Sequence, residues 1–348
     1  MRKLHGLCLL VLLSILTACS NVVSAASNNS QNGEPSGHYL LIGGEAVPEG
    51  CALGDSWRFD GKDWTTAVTL REMIPPARTR SQAVMAYEQN GGMHRLVLFG
   101  GQDGCQYLND TWEYRNGSWS QVNTPQAPSP RAGFGLSYDI ARQVVVLFGG
   151  YSGAENNRPD QAFTDTWEFD GATWRQVPTP HTPPPSIGVA MAYDASRQKT
   201  VLFTGQQNSG YDWRNQTWEY DGRDWVLTSN DPLGGVWRHS PSMAYDPSRE
   251  RVVLFGGYHQ GGARPMLDDT WEYDGTRWHL SQAQGGPMGR CRASMLYDPI
   301  RQRVVMFGGA ADGGFVSDMW QLDGTQWTEV LPATYPTARA FGSLILLP

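Results

Sequence analysis

The chain has 348 residues, 40 of them glycine and 22 proline, together with 14 Trp, 14 Tyr and 11 Phe. Dense turn residues beside abundant aromatics argue against a helical protein and for many short strands in one large all-β domain. The net charge of −7 argues against nucleic-acid binding, which needs a basic surface to neutralise phosphates.

The first element in chain order is a leader. Arg2 and Lys3 precede an apolar run from Leu7 to Leu16, too short to span a bilayer as a helix but of signal-peptide length. It closes in Leu16-Thr17-Ala18-Cys19, which resembles the lipobox of bacterial lipoproteins. That resemblance implies cleavage of residues 1–18 and a lipid on Cys19; the competing reading is ordinary cleavage after Ala25 or Ala26. A lipid chain would anchor the protein physically, each buried methylene contributing ~0.8 kcal/mol. Ser20 resembles an outer-membrane sorting signal, should the source have two membranes. Loss of the leader removes Arg2 and Lys3 and no acid, so the remainder becomes more acidic, at −9. Residues 19–37, rich in Asn, Ser and Gly, read as the lipidated cysteine and a flexible tether. No second apolar stretch of spanning length follows, and residues 38–348 are expected to form a soluble body held to the membrane through the lipid alone.

The body is repetitive. Six glycine-ended runs recur: Tyr39–Gly44, Leu96–Gly101, Val145–Gly150, Thr200–Gly205, Val252–Gly257 and Val304–Gly309. Each reads as a short strand closed by a turn. After each come two tryptophans seven residues apart: Trp57/Trp64, Trp112/Trp119, Trp167/Trp174, Trp218/Trp225, Trp271/Trp278 and Trp320/Trp327. Between them lies Asp-Gly, or Asn-Gly in the second copy, a hairpin signal. With Asp170-Gly171 as the two-residue turn, Trp167 is predicted to face Trp174 as a cross-strand pair. A further run precedes most glycine strands: Arg80–Tyr87, Arg131–Tyr138, Ser186–Tyr193, Arg238–Tyr245 and Arg290–Tyr297. Each unit then holds four strands at a period of about 50 residues.

The double glycine, the Asp before the first Trp and the spaced Trp pair resemble the Kelch repeat, from about His38 to Pro348. The resemblance implies an all-β, six-bladed β-propeller with four antiparallel strands per blade. The first unit lacks an opening strand, and Arg339–Leu346 at the other end has that pattern without a unit to follow it. The C-terminal segment is therefore expected to complete blade 1 and close the ring.

Opening strands of a propeller lie nearest the axis, which aligns Arg80, Arg131, Arg238, Arg290 and Arg339; blade 4 has Ser186. A ring of guanidinium groups suits an anionic ligand such as a carboxylated sugar. The structural alternative has an internal argument behind it. An aspartate lies two residues before the first Trp in five blades (Asp55, Asp110, Asp165, Asp269, Asp318), and blade 4 has Gln216 there. The blade without the arginine is the blade without the aspartate, which favours Arg–Asp pairing.

Blade 4 also carries Tyr211, Asp212, Trp213 and Arg214 in a loop, and Trp237 and His239 enter blade 5, with Tyr258 and His259 in the next loop. Tyr211, Trp213, Trp237, His239, Tyr258 and His259 are the candidate binding residues on one loop face, as an aromatic platform for carbohydrate or a protein ligand. The alternative is that these rings only pack the longer loops. Cys51 and Cys105 fall in equivalent loops of adjacent blades and are the expected disulfide, with Cys291 a competing partner for Cys51.

Catalytic patterns are absent. No His-x-x-x-His or Cys-x-x-Cys spacing suggests a metal, no Gly-x-Ser-x-Gly elbow or phosphate loop occurs, and no cofactor is expected. Galactose oxidase shares Kelch-like repeats, but its copper ligands do not map here. Sialidase Asp boxes have a different Asp–Gly spacing. A bacterial sialic-acid epimerase resembles the chain in its general repeat; on that analogy a loop acid such as Glu155 or Asp212 would move protons. The favoured reading is a monomeric, non-enzymatic extracytoplasmic binding module. The alternatives are a sugar isomerase, epimerase or lyase at the channel mouth, and a structural protein of the cell envelope.

Overall fold

A computed structural model describes residues 39–46, 52–67, 75–78, 82–86, 95–104, 106–155, 158–207, 215–259 and 265–347. The expected leader and tether (residues 1–37), Cys51, Arg80, Cys105, Tyr211, Asp212 and Trp213 lie outside these residues.

The described residues are all-β, without helices, and contain six four-stranded antiparallel sheets. From inner to outer strand, blade 1 consists of Ser343–Leu346, Tyr39–Ile42, Ser56–Phe59 and Trp64–Thr66. Blade 2 is Gln82–Ala86, Arg95–Asp103, Gln106–Arg115 and Ser118–Val122. Blade 3 is Gly135–Asp139, Val144–Phe148, Thr166–Phe169 and Trp174–Val177. Blade 4 is Ala190–Asp194, Lys199–Phe203, Gln216–Tyr220 and Trp225–Asn230. Blade 5 is Ser242–Asp246, Arg251–Phe255, Thr270–Tyr273 and Trp278–Leu280. Blade 6 is Ser294–Asp298, Arg303–Phe307, Met319–Leu322 and Trp327–Val330.

Each inner strand touches the inner strands of both neighbouring blades, and Ser343–Leu346 touches those of blades 6 and 2, which closes the ring. The C-terminal strand pairs with the first strand of the body, Leu346 opposite Tyr39 and Ser343 opposite Ile42. The C-terminal strand paired with Tyr39–Ile42 supplies the inner strand of that sheet.

The second strands form the core. Each is covered on both faces by adjacent blades, so its sequence is a continuous apolar run and not an alternation. Leu96–Phe99, Val145–Phe148, Val252–Phe255 and Val304–Phe307 are all buried. The phenylalanine that ends each run meets the second tryptophan of the following blade. Phe99–Trp174, Phe148–Trp225, Phe203–Trp278, Phe255–Trp327 and Phe307–Trp64 have ring centroids 5.0–5.8 Å apart.

The hairpin register corrects the expected tryptophan pairing. Trp174 faces Phe169, and Trp167 faces Gln176. Asp170 precedes the turn and does not form its first central residue. Its carboxylate accepts the amides of Ala172 and Thr173, both at 2.9 Å. Gly171 then takes the first central position with φ 101°, the conformation a tight hairpin assigns to glycine. One residue of displacement separates the two indoles and gives them different partners.

Candidate functional site

Five buried arginines stand beside five aspartates. Arg131 shows the pattern: Nη1 and Nη2 donate to the two carboxylate oxygens of Asp165 at 2.6 and 2.9 Å, Nη1 also to the Gly149 carbonyl, and Nε to the Ser129 carbonyl. Arg238–Asp269, Arg290–Asp318 and Arg339–Asp55 repeat the bidentate bridge. In blade 2 the arginine is Arg78, bound to Asp110 at 2.8 and 2.9 Å. This corrects the sequence register, which assigned the place to Arg80. The strand pairing places Met85, not Tyr87, level with Tyr138 of blade 3, so the arginine two residues earlier fills the slot.

These guanidinium groups are 0–1 % exposed, which removes them from contact with a ligand. Burial alone would raise the aspartate pKa values. The arginine hydrogen bonds and charge outweigh it and hold Asp55, Asp110, Asp269 and Asp318 below the ordinary 3.8. The same aspartates accept the first indole N–H, as Trp167 Nε1 to Asp165 at 2.6 Å. Blade 4 solves the problem without charge. Trp218 donates to Gln216 at 2.9 Å, Ser186 Oγ donates to the Pro184 carbonyl, and Asn215 Nδ2 donates to the Thr204 and Arg238 carbonyls.

Four of the six predicted binding residues are described, and they meet on one face. Trp237 and His259 have rings 4.6 Å apart, and His259 Nδ1 donates to the Trp237 carbonyl at 2.7 Å. His239 and Tyr258 exchange two backbone hydrogen bonds at 3.0 and 2.9 Å, with rings 5.1 Å apart. All four are half-buried. His239 is kept neutral by burial first and by Arg292 second, its pKa lowered to about 4. Cys291 is a free buried thiol, raised in pKa chiefly by burial. The described residues contain no group of three or more His, Cys, Asp or Glu arranged to hold a metal ion.

Beside this cluster opens an axial cavity of about 480 Å³. Leu136, Met191, Met243, Met295 and Leu344 contribute apolar wall, and Ser240, Arg292 and Phe341 lie at the end nearest His239. Sequence reasoning passed over these three. The available signal was their place in the repeat, two residues after the clamp position, where blades 3 and 4 have Gly133 and Gly188.

Residues 35–229, more than half of the chain, match the KLHDC2/KLHL20/DRC7 Kelch-repeats domain. The chain belongs to this Kelch-repeat family. Among curated proteins, the Kelch chain is similar to an F-box/kelch-repeat protein of Arabidopsis thaliana, 24 % identical over 276 residues, covering 69 % of this chain and 56 % of the relative. It is also similar to Adagio-like protein 1 of Oryza sativa subsp. japonica, 28 % identical over 321 residues, 81 % of this chain and 47 % of the relative. A third relative is Mei4-dependent protein 6 of Schizosaccharomyces pombe, 25 % identical over 235 residues, 64 % of this chain and 28 % of the relative. The Kelch chain spans about half the length of the first two.

Proposed function

We propose that this Kelch propeller is an extracytoplasmic interaction module, tethered to a bacterial membrane by a lipid on Cys19, that takes a protein ligand on the face carrying Trp237, His239, Tyr258 and His259. The observation behind the reading is the pair of ring contacts, Trp237–His259 and His239–Tyr258, left half-buried on one face of an otherwise closed ring. Aromatic side chains on loops over a rigid scaffold supply contact area at low entropic cost. Membership of a Kelch family, whose domains commonly mediate protein interactions, favours a protein over a carbohydrate ligand. The membrane tether rests on the lipobox-like Leu16-Thr17-Ala18-Cys19.

Two measurements test the reading. In fractionated cells, Cys19→Ser should move the protein from the membrane pellet to the soluble fraction and abolish incorporation of labelled palmitate. In vivo crosslinking of the full chain should capture a protein that Trp237→Ala no longer captures, while the melting temperature of the variant stays within a few degrees of the parent. A chain that fractionates as soluble with Cys19 intact refutes the tether. Glycan-array binding without any Trp237-dependent protein crosslink refutes the protein ligand.

A further inference from the structure

The mouth of the axial cavity is a collar with one residue from each of blades 3, 4, 5, 6 and 1, two positions beyond the clamp site; the blade 2 position, Arg80, lies outside the described residues. Gly133, Gly188, Ser240, Arg292 and Phe341 all have left-handed backbone, with φ of 63°, 66°, 52°, 61° and 56°. Successive members are hydrogen-bonded: Ser240 N to Gly188 O at 2.8 Å, Arg292 N to Ser240 O at 2.9 Å, and Phe341 N to Arg292 O at 3.0 Å. Glycine satisfies this conformation without strain, yet three of these five positions hold a side chain. Those side chains are a hydroxyl, a guanidinium and an aromatic ring, all lining one end of the cavity.

Arg292 differs from the clamp arginines. Its guanidinium lies 4.6 Å from the centroid of the Phe341 ring. No carboxylate among the described residues forms an ion pair with it, and its Nε is buried without a hydrogen-bond partner. Next to it, His239 shares a hydrogen bond of 3.1 Å with Ser240 Oγ and remains neutral at physiological pH, so among the described residues Arg292 is the charged group of the collar and no acid pairs with it. Behind the mouth the wall is mostly apolar, with Met191, Met243 and Met295 projecting from three consecutive inner strands and Ser242 and Ser294 beside them. An apolar cavity with a few convergent polar groups at one end suits a small ligand of matching polarity.

We propose that the axial channel binds a small carboxylic acid with an apolar body, its carboxylate on the Arg292 guanidinium at the collar and its body against Met191, Met243 and Met295. The site adjoins the protein-binding face proposed above through His239 and Ser240, but the proposal does not rest on that reading.

Calorimetric titration of the full chain with benzoate, with the uncharged benzamide and with inorganic phosphate tests the assignment. Benzoate should bind saturably, at least about tenfold more tightly than benzamide or phosphate, since a charge-assisted bond and an apolar contact act together. Arg292→Gln should weaken benzoate at least about tenfold and leave benzamide unchanged, with Arg292→Lys intermediate. Absence of saturable benzoate binding up to about 10 mM overturns the proposal. So does phosphate binding as tightly as benzoate, which would mark an adventitious anion site. Equal binding of benzoate and benzamide to the parent chain overturns it too, and that comparison needs no variant to fold.

Discussion

Replacing Asp318 by glutamine, Arg290 by serine, and then both together transplants the uncharged arrangement of blade 4 into blade 6. Arg290 is 1 % exposed and donates to both Asp318 oxygens at 2.5 and 2.8 Å, to Gly308 O at 3.0 Å and to Met288 O at 3.1 Å. Asp318→Gln leaves a guanidinium that cannot shed its charge with two carbonyls for company. The expected cost is about 3–5 kcal/mol. Arg290→Ser removes the cation and leaves a cavity, but Asp318 keeps the Trp320 indole N–H at 2.7 Å and has some access to water, so about 2–4 kcal/mol is expected. The double variant retains the cavity and has no unpaired buried charge. Glutamine can still accept from Trp320, as Gln216 does from Trp218. The double should therefore be more stable than the sum of the singles predicts, by about 2–3 kcal/mol. Guanidinium denaturation at fixed pH, followed by tryptophan emission, supplies all four corners of the cycle. Additivity to within about 0.5 kcal/mol would refute the claim that these side chains act as one clamp.

Three further outcomes follow from the same geometry. Thr217 Oγ1 accepts the indole N–H of Trp278 from the next blade at 2.8 Å, so Thr217→Val should cost about 1–3 kcal/mol in chemical denaturation by orphaning a buried donor; a loss below about 0.5 kcal/mol would show the contact to be idle. Acid sensitivity should come in two windows. His239 has a native pKa of about 4 against an ordinary 6.5, so the unfolded chain takes up the proton first and stability falls as pH drops from about 6.5 toward 4, a slope that His239→Gln should remove. The clamp aspartates, all held below 3.8, contribute fully above that value, and their contribution disappears as pH falls through their lower native values. Gly188→Ala, at φ 66° with Ser240 against the new methyl group, should destabilise by at least about 1–2 kcal/mol, whereas Gly313→Ala, with open space around it, should change the melting temperature little.

Much of this architecture is legible in the residues because each repeat tests the others. Joint loss of arginine and aspartate in blade 4 pointed to their pairing, and the unmatched Arg339–Leu346 pointed to the strand that completes blade 1. The failures are equally local. Arg78 and Arg80 lie two apart, and the eye aligns the one nearer the strand. The better guide is a proline three residues before the clamp position: Pro75, Pro128, Pro183, Pro287 and Pro336. It leads into the turn whose carbonyl, two residues before the arginine, accepts Nε, as Pro76 O does from Arg78 and Thr337 O does from Arg339. The tryptophan register was misread because an Asp-Gly pair admits two turn placements, and the aspartate's bonds to the turn amides decide between them. The collar was missed for a different reason: only the two glycines at the same place in blades 3 and 4 hint at it. Nothing in a serine, an arginine or a phenylalanine announces left-handed backbone, which here is imposed by hydrogen bonds from the neighbouring blade.

Locks between blades run in one direction round the ring, which explains why the clamps need not bridge blades themselves. The second tryptophan of a blade reaches back to a threonine of the blade before it: Trp174 to Thr111, Trp225 to Thr166, Trp278 to Thr217 and Trp327 to Thr270. The clamp arginine's carbonyl likewise accepts an amide from the preceding blade, from Gly44, Gly101, Gly257 and Gly309. Each clamp therefore fixes, inside its own blade, the residue that the previous blade holds by its backbone. The junction between blades 6 and 1 departs from the rule. Met319 stands where blades 2 to 5 have threonine and blade 1 has Ser56, and Trp64 Nε1 is buried without a partner. There the Tyr39 hydroxyl donates to Asp298 at 2.5 Å and the Gly309 amide still reaches Arg339 O, while the pairing of Tyr39–Ile42 with Ser343–Leu346 unites the two strands so held within blade 1. At this junction the bond from Tyr39 to Asp298 supplies the side-chain connection between blades that elsewhere comes from an indole hydrogen bond.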